Sequence, residues 1–181
     1  TGHLVFSTLH TNSAAGILPR LIDMGIEPFL IASTVNTIIG QRLVRRVAAK
    51  RNTYQSSPLQ TQSIIETVGH LLPKTPEEVE KVSADLGYKN LPLANQKSYT
   101  LVKGRDTPQT PGGYQGRAGL YEVMEVTEEI QQLIIKHATS HEVQKVAMQQ
   151  GMITMRQDGY LKALTGITTI EEVNRVASDS A

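Results

Sequence analysis

A short polar segment near the start of the chain carries the residues best suited to chemistry. It runs Ser7-Thr8-Leu9-His10-Thr11-Asn12, directly after the apolar triplet Leu4-Val5-Phe6. We predict that the triplet is a short buried strand and that the polar segment leads into a helix. Parallel α/β proteins build phosphate sites at junctions of this kind. The side chains that could hydrogen-bond a phosphate there are Thr8, His10, Thr11 and Asn12.

A second histidine, His3, lies seven positions before His10. In a strand continuing that far the two side chains would point to opposite faces, because the side-chain period is two, so we do not expect them to ligate one metal. From the residues alone, His10 is either a contact to phosphate or catalytic water, or a loop residue that only hydrogen-bonds its neighbours. Both interpretations remain open at this point.

The overall composition narrows the class of protein. The chain has 181 residues and a net charge of +1, so global charge gives no argument for a nucleic-acid or membrane partner. No apolar run approaches the roughly 18 residues that a membrane-spanning helix needs, and no signal peptide is evident. The absence of cysteine excludes disulfides, a thiolate nucleophile and cysteine-ligated zinc. We therefore expect a cytoplasmic globular protein without direct membrane insertion.

Apolar spacing predicts the elements that position the polar segment. A second helix is expected from Pro28 to Gly40 and a strand over Leu43–Val47, which gives an α/β fold. Pro19 would lie inside the first helix and cost it about 3 kcal/mol unless a kink is useful. That first helix is predicted where apolar residues recur at helical spacing before a glycine, namely at Ala14, Ile17, Leu18, Leu21, Ile22 and Gly25.

The rest of the chain alternates turn-rich and helical segments. Asn52–Gln62 has the composition of a loop or linker, and Asp106–Gly113 that of a turn. Thr75–Glu78 has the pattern of a capping box that starts a helix reaching Gly87. One strand is predicted over Ala118–Met124, followed by helices. The predicted helix caps there are Thr127, Ser140 and Thr169.

Several segments resemble the motifs of the secretion ATPases that drive type II secretion and type IV pilus assembly. Residues 1–12 resemble the family's histidine box, T-G-H-x-V-x-S-T-L-H-T-N, and residues 113–122 resemble its G-Y-x-G-R-x-G-x-Y-E segment. Three further segments, residues 20–25, 27–31 and 41–45, also resemble sequence segments of this family. The resemblance covers most of the chain apart from roughly residues 52 to 100.

This resemblance implies the C-terminal part of a RecA-like P-loop NTPase lobe, followed by a helical C-terminal lobe. The expected division is a distal ATPase core with the histidine box (1–51), a helical insert in place of the family's zinc-binding region (52–112), and a strand with the helical lobe (113–181). In the family the box lies beside the ATP γ-phosphate. The resemblance therefore implies that His10 positions that phosphate and that His3 orients the box, with support from Thr8, Thr11 and Asn12.

The nucleotide machinery of the family is not found in this sequence. No G-x-x-x-x-G-K-[ST] motif occurs, so no loop here can cradle the phosphates. We expect the chain to be the C-terminal portion of a longer polypeptide that uses ATP and Mg²⁺, and to be inactive alone. The alternative is a non-catalytic structural or interaction module derived from the same family.

The family's tetracysteine zinc site is also replaced. The corresponding positions are Ala48 and Arg51, then Asp106 and Gln109, and none of them is a cysteine. We therefore expect no structural zinc, although the two segments could still lie adjacent.

Arginines are the remaining candidate residues. The basic cluster of Arg42, Arg45, Arg46, Lys50 and Arg51 either contacts phosphate, an acidic subunit or lipid head groups, or is a solvated strand edge. The resemblance favours a subunit contact in a hexamer that works on an inner-membrane platform protein, at the cytoplasmic side of that membrane. A nucleic-acid patch is not expected, since aromatic interleaving is absent. Two further residues, Arg20 and Arg117, are given interface or structural roles. Arg117 either reaches a carboxylate or phosphate bidentately or forms a buried structural ion pair with Glu122 or Glu125.

Overall fold

Helices outnumber strands in the computed structural model, which describes residues 2–178. Within that range the α-helices are α1 (Ile17–Asp23), α2 (Pro28–Thr34), α3 (Pro58–Val68), α4 (Val79–Asp85), α5 (Glu128–Ile135), α6 (Ser140–Gln149), α7 (Met155–Leu164) and α8 (Ile170–Val176). The strands are β1 (Thr37–Val47), β2 (Arg51–Gln55), β3 (Thr100–Gly104) and β4 (Tyr114–Glu125), and short 3₁₀ turns cover Pro76–Glu78 and Pro111–Gly113. The α/β character expected from the sequence is confirmed.

The strands form two small sheets. β1 pairs with β4, and β2 pairs with β3. The β2–β3 pair is antiparallel, with Arg51 opposite Gly104 and Gln55 opposite Thr100. Few strands and many helices fit the expected end portion of a larger α/β lobe, while the RecA-like assignment itself stays a prediction.

The chain separates into two compact units. The first contains the residues up to Gly40 together with Tyr121–Thr154, and the second contains Gln41–Leu120 with the residues from Met155 onward. The predicted division into three domains, with boundaries at 51/52 and 112/113, stays a prediction.

The first unit is built around α1, α2, α5 and α6. Its core residues recur at helical spacing in α5 (Ile130, Ile134) and α6 (Val143, Ala147), so each helix buries one apolar stripe. The backbone N–H of Val126 donates to the carbonyl oxygen of Asn36 (2.9 Å), which joins the residue after β4 to the residue before β1.

In the second unit α7 contacts α3, α8 and the strand β3, which pairs with β2. Its fully buried residues include Ile64, Leu120, Tyr160 and Val173. Gly159 is required in α7 because a Cβ built there would lie 2.5 Å from Val173 Cγ1. Glycine thus permits α7 to approach α8 closely.

The helix predicted from Pro28 to Gly40 is wrong beyond Thr34. The chain turns extended there and β1 starts at Thr37. The run Thr37-Ile38-Ile39 consists of β-branched residues, which favour strands, and β1 pairs with β4. Apolar residues at helical spacing were therefore an ambiguous signal in this short stretch.

The loop predicted over Asn52–Gln62 is also wrong, since it contains most of β2 and the start of α3. Ser57 caps α3: its side chain accepts from the backbone N–H of Gln60, and the Gln60 side chain accepts from the backbone N–H of Ser57, while Pro58 opens the helix. The polar composition belongs to a helix cap and an exposed strand.

Three of the other local predictions need correction. The first helix begins at Ile17, so Pro19 lies in its first turn, where a missing N–H costs no helical hydrogen bond. Thr75 makes no side-chain cap; a 3₁₀ turn precedes α4 instead. The cap of α6 is Thr139, one residue before the predicted Ser140, whereas the caps at Thr127 and Thr169 are confirmed.

Candidate functional site

The segment that carries the histidines is largely exposed and has no regular secondary structure. The predicted buried strand Leu4-Val5-Phe6 is wrong: these side chains are 73 %, 64 % and 88 % exposed and the segment forms neither helix nor strand. The backbone groups of a buried strand would need a paired neighbour, and no strand among residues 2–178 pairs with this segment. The apolar triplet is therefore uncovered.

The polar tip that follows is accessible. His10, Thr8 and Asn12 are exposed, and Thr11 is half-buried with its hydroxyl donating to the Ser13 carbonyl oxygen (2.9 Å). His3 Nδ1 donates to the neighbouring Leu4 carbonyl oxygen (3.3 Å). The assignments of these residues to phosphate contact and box orientation stay predictions.

The end of the polar segment is fixed by a residue far away in the chain. The backbone N–H of Ala14 donates to Glu122 Oε1 (2.9 Å), and Glu122, on β4, is 3 % exposed. The Ser13 hydroxyl accepts from the backbone N–H of Gly16 (3.1 Å), which opens α1. These contacts, together with the burial of Ala14 and Ala15, hold the exit of the histidine segment against β4.

Sequence reasoning missed this function of Glu122. The available signal was its position between Leu120 and Met124, both on the inward face of a strand with period two. An acidic residue there has to be buried, and a buried carboxylate requires hydrogen-bond donors. The pattern identifies the requirement but not the donor, which lies 108 positions away.

Ala14, two residues after the first of the segments that resemble family motifs, is thus hydrogen-bonded to Glu122, the last residue of the second. The model of the family described as "Type II/IV secretion system protein" matches residues 1–175. The chain belongs to this family.

Individual relatives agree with the family match. The chain is 40 % identical over 99 % of its length to type II secretion system protein E of Xanthomonas campestris pv. campestris. It is 35 % identical over 99 % to the type IV pilus assembly ATPase PilB of Pseudomonas aeruginosa. It is 36 % identical over 99 % to type II secretion system ATPase E of Vibrio cholerae. The match covers 28 %, 27 % and 31 % of these three relatives, so the chain spans less than a third of their length.

Among the arginines of this family member, Arg45 has a defined structural role. Its guanidinium donates from Nε (2.9 Å) and Nη2 (2.5 Å) to Glu172 Oε1 and lies 4.2 Å from the Tyr114 ring centroid. Its backbone N–H donates to Glu172 Oε2 (2.9 Å), and Arg175 donates to both carboxylate oxygens (3.1 and 2.9 Å). Arg45 and Arg175 together therefore neutralise one buried carboxylate.

Arg117 does not form the predicted buried ion pair. Arg117 is an exposed residue of β4, so its guanidinium is not part of a buried pair. Arg20 is exposed on α1, and Arg42 is half-buried on β1. The interface or structural roles assigned to these three residues stay predictions.

The residues at the family's zinc positions do not fit zinc. Ala48 has no donor side chain, Arg51 is a cation, and Asp106 Oδ1 accepts from the backbone N–H of Gly112 (3.0 Å). Across residues 2–178 no three His, Cys, Asp or Glu side chains form a group that could hold a metal. The two segments nevertheless lie adjacent as expected, since the backbone N–H of Arg105 donates to the Lys50 carbonyl oxygen (2.9 Å).

Proposed function

We propose that this chain is the histidine-box and C-terminal helical portion of an ATPase that powers type II protein secretion or type IV pilus assembly. The observation that carries the proposal is the identity of 35–40 % over 99 % of the chain to proteins of those two systems, some of them named as ATPases. In the complete protein a P-loop outside these residues supplies ATP and Mg²⁺ binding, and the chain alone does not turn over ATP.

His10 is assigned to the phosphate end of the nucleotide. Thr8, Thr11 and Asn12 support it with hydroxyl and amide groups, and His3 orients the segment. The exposure of His10 supports this assignment because a side chain already enclosed could not reach a nucleotide bound by other residues. Phosphoryl transfer depends on positioning and on charge neutralisation, which such a shell provides.

The uncovered triplet Leu4-Val5-Phe6 gains its cover in the complete protein. Three adjacent apolar side chains exposed to water are unfavourable, at roughly 25 cal/mol per Å² of apolar surface. We propose that the segment joins the sheet of a RecA-like lobe, where both faces of a strand are covered and continuous apolar runs are typical. This pairing would carry the adjacent tip, through His10, to the edge of that sheet.

Assembly and location follow the same family. We propose a hexamer that acts on an inner-membrane platform protein from the cytoplasmic side. The exposed guanidiniums of Arg20 and Arg46 are available for contacts between subunits, whereas Arg45 is committed to Glu172. Within the described part of the chain, no helix combines the length and apolar character that crossing a bilayer requires.

The test is phosphate release by the protein made from the complete gene, comparing wild type with His10→Ala. The control is His70→Ala, which removes an exposed imidazole outside the box. We expect magnesium-dependent turnover that falls at least about tenfold in His10→Ala, or about 1.4 kcal/mol in the barrier, with no change in the control.

Equal turnover in wild type and His10→Ala would reduce His10 to a structural residue. An absence of turnover in every variant would favour the non-catalytic module of the same family.

A further inference from the structure

Arg51 binds three backbone carbonyl groups that come from two separate parts of the chain. Its Nε donates to the Ala48 carbonyl oxygen (3.0 Å) and its Nη2 to that of Val47 (3.3 Å). Its Nη1 donates to the carbonyl oxygen of Gly166, which follows α7. The side chain thus spans the turn between β1 and β2 and reaches the connection between α7 and α8.

Backbone hydrogen bonds bring further segments to the same place. The N–H of Val47 donates to the Ile167 carbonyl oxygen, that of Ala48 to Gly113, and that of Arg105 to Lys50, each at 2.9 Å. The turn 47–51 is therefore held by the segment 104–113 on one side and by residues 166–167 on the other. All of these residues belong to the second unit.

The local geometry is adapted to the guanidinium. Gly166 has a positive φ of 79°, and a Cβ at that position would lie 3.2 Å from Arg51 Nη1. A glycine therefore both permits the turn and leaves room for the arginine. Guanidinium offers five N–H donors in a rigid plane, so one side chain can satisfy several carbonyl groups that end a strand or a helix.

We infer that Arg51 is a metal-independent clamp that fastens the turn 47–51 to the connection between α7 and α8. It stands at one of the four positions where the family's cysteines would be expected, and the residues at these positions do not fit zinc. The clamp uses a fixed cation and backbone oxygens, so chelators have nothing to remove. Charge-assisted hydrogen bonds of this kind are stronger than neutral ones.

The test is thermal unfolding of the 181-residue chain, with and without EDTA, for wild type, Arg51→Ala and Arg51→Lys. The matched control is Arg46→Ala, which removes an exposed arginine from the end of β1. We expect EDTA to leave every Tm unchanged. Arg51→Ala should lower Tm by about 5 °C and Arg46→Ala by less than about 1 °C. Arg51→Lys should fall between them, because an ammonium keeps the charge but loses the planar fork.

Amide hydrogen exchange gives a local measure of the same contacts, including in a variant that unfolds early. In Arg51→Lys the amides of Val47 and Ala48 should exchange several-fold faster than in wild type, while those in α5 and α6 are unchanged. A fall of Tm in EDTA would show a bound metal and overturn the inference. Equal effects of Arg51→Ala and Arg46→Ala, or a full retention of Tm in Arg51→Lys, would also overturn it.

Discussion

The carboxylate of Glu172 should make the stability of the second unit depend on pH. The side chain is 2 % exposed at the start of α8, beside its cap Thr169. Burial alone would raise the pKa of this carboxyl group, but hydrogen bonds from Arg175 and Arg45 outweigh burial and lower the pKa to about 2. The charged form is therefore the form that the folded protein stabilises.

The size of the effect follows from the difference between the two states. A pKa of 4.5 in the unfolded chain and about 2 in the folded one corresponds to about 3 kcal/mol of folding free energy. Because the folded pKa is the lower one, this contribution is present above pH 4.5 and is lost as the pH falls from 4.5 towards 2.

The perturbation is Glu172→Gln, measured by urea unfolding between pH 7 and pH 2. We expect a loss of about 3 kcal/mol at pH 7, at the lower end of the range for a broken buried ion pair, because water can reach the two arginines. Their side chains are 50 % (Arg45) and 58 % (Arg175) exposed. The difference from wild type should shrink below pH 4.5, since protonated Glu172 resembles glutamine.

The control is Glu171→Gln, which changes the exposed neighbouring carboxylate on the same helix. It should alter the free energy of unfolding by less than about 0.5 kcal/mol at any pH. If the curves of wild type and Glu172→Gln stay parallel from pH 7 to pH 2, the carboxylate does not contribute through its charge and the reasoning fails.

Two further predictions concern the packing of α7 and the cap of α6. Gly159→Ala should lower the free energy of unfolding by about 1–3 kcal/mol, because the new Cβ would lie 2.5 Å from Val173 Cγ1. The measurement is a urea titration, and a variant as stable as wild type would refute the close packing of α7 on α8. Thr139→Ala should lower the free energy of unfolding by about 1 kcal/mol, because it removes the side chain that accepts from the backbone N–H of Glu142. The control Ser140→Ala should be nearly neutral. If Ser140→Ala were the more destabilising of the two in the same titration, Ser140 would be the cap of α6.

The sequence was sufficient to predict an element where nearby residues alone determine its structure. α5 is capped by Thr127 and buries Ile130 and Ile134, as the capping residue and the apolar spacing predict. The predicted strand Ala118–Met124 lies within β4, where burial alternates from residue to residue. In both cases the signal extends over enough residues to separate a period of 3.6 from a period of two.

Prediction failed where a short segment takes its structure from a distant partner. Residues 35–40 satisfy a helical spacing, but β1 pairs with β4, which begins more than sixty residues later. Residues 52–55 look like a polar loop, yet they form β2 by pairing with residues 100–103. Strand pairing of this kind is non-local, and no window of the sequence contains both members.

The candidate site depends both on local residue types and on distant contacts. The types of His10 and its neighbours indicate phosphate chemistry, but the conformation of the segment depends on contacts at its two ends. At one end Glu122 fixes Ala14 from β4, and at the other end the triplet Leu4-Val5-Phe6 lies open. The segment is thus fixed where it leads into α1, at Ala14, and is not fixed at the triplet. The anchored end is therefore set by this chain, whereas we propose that the direction in which His10 points is set by the sheet that covers the triplet. This dependence explains why the sequence indicates candidate residues for the site but does not predict the conformation of the segment.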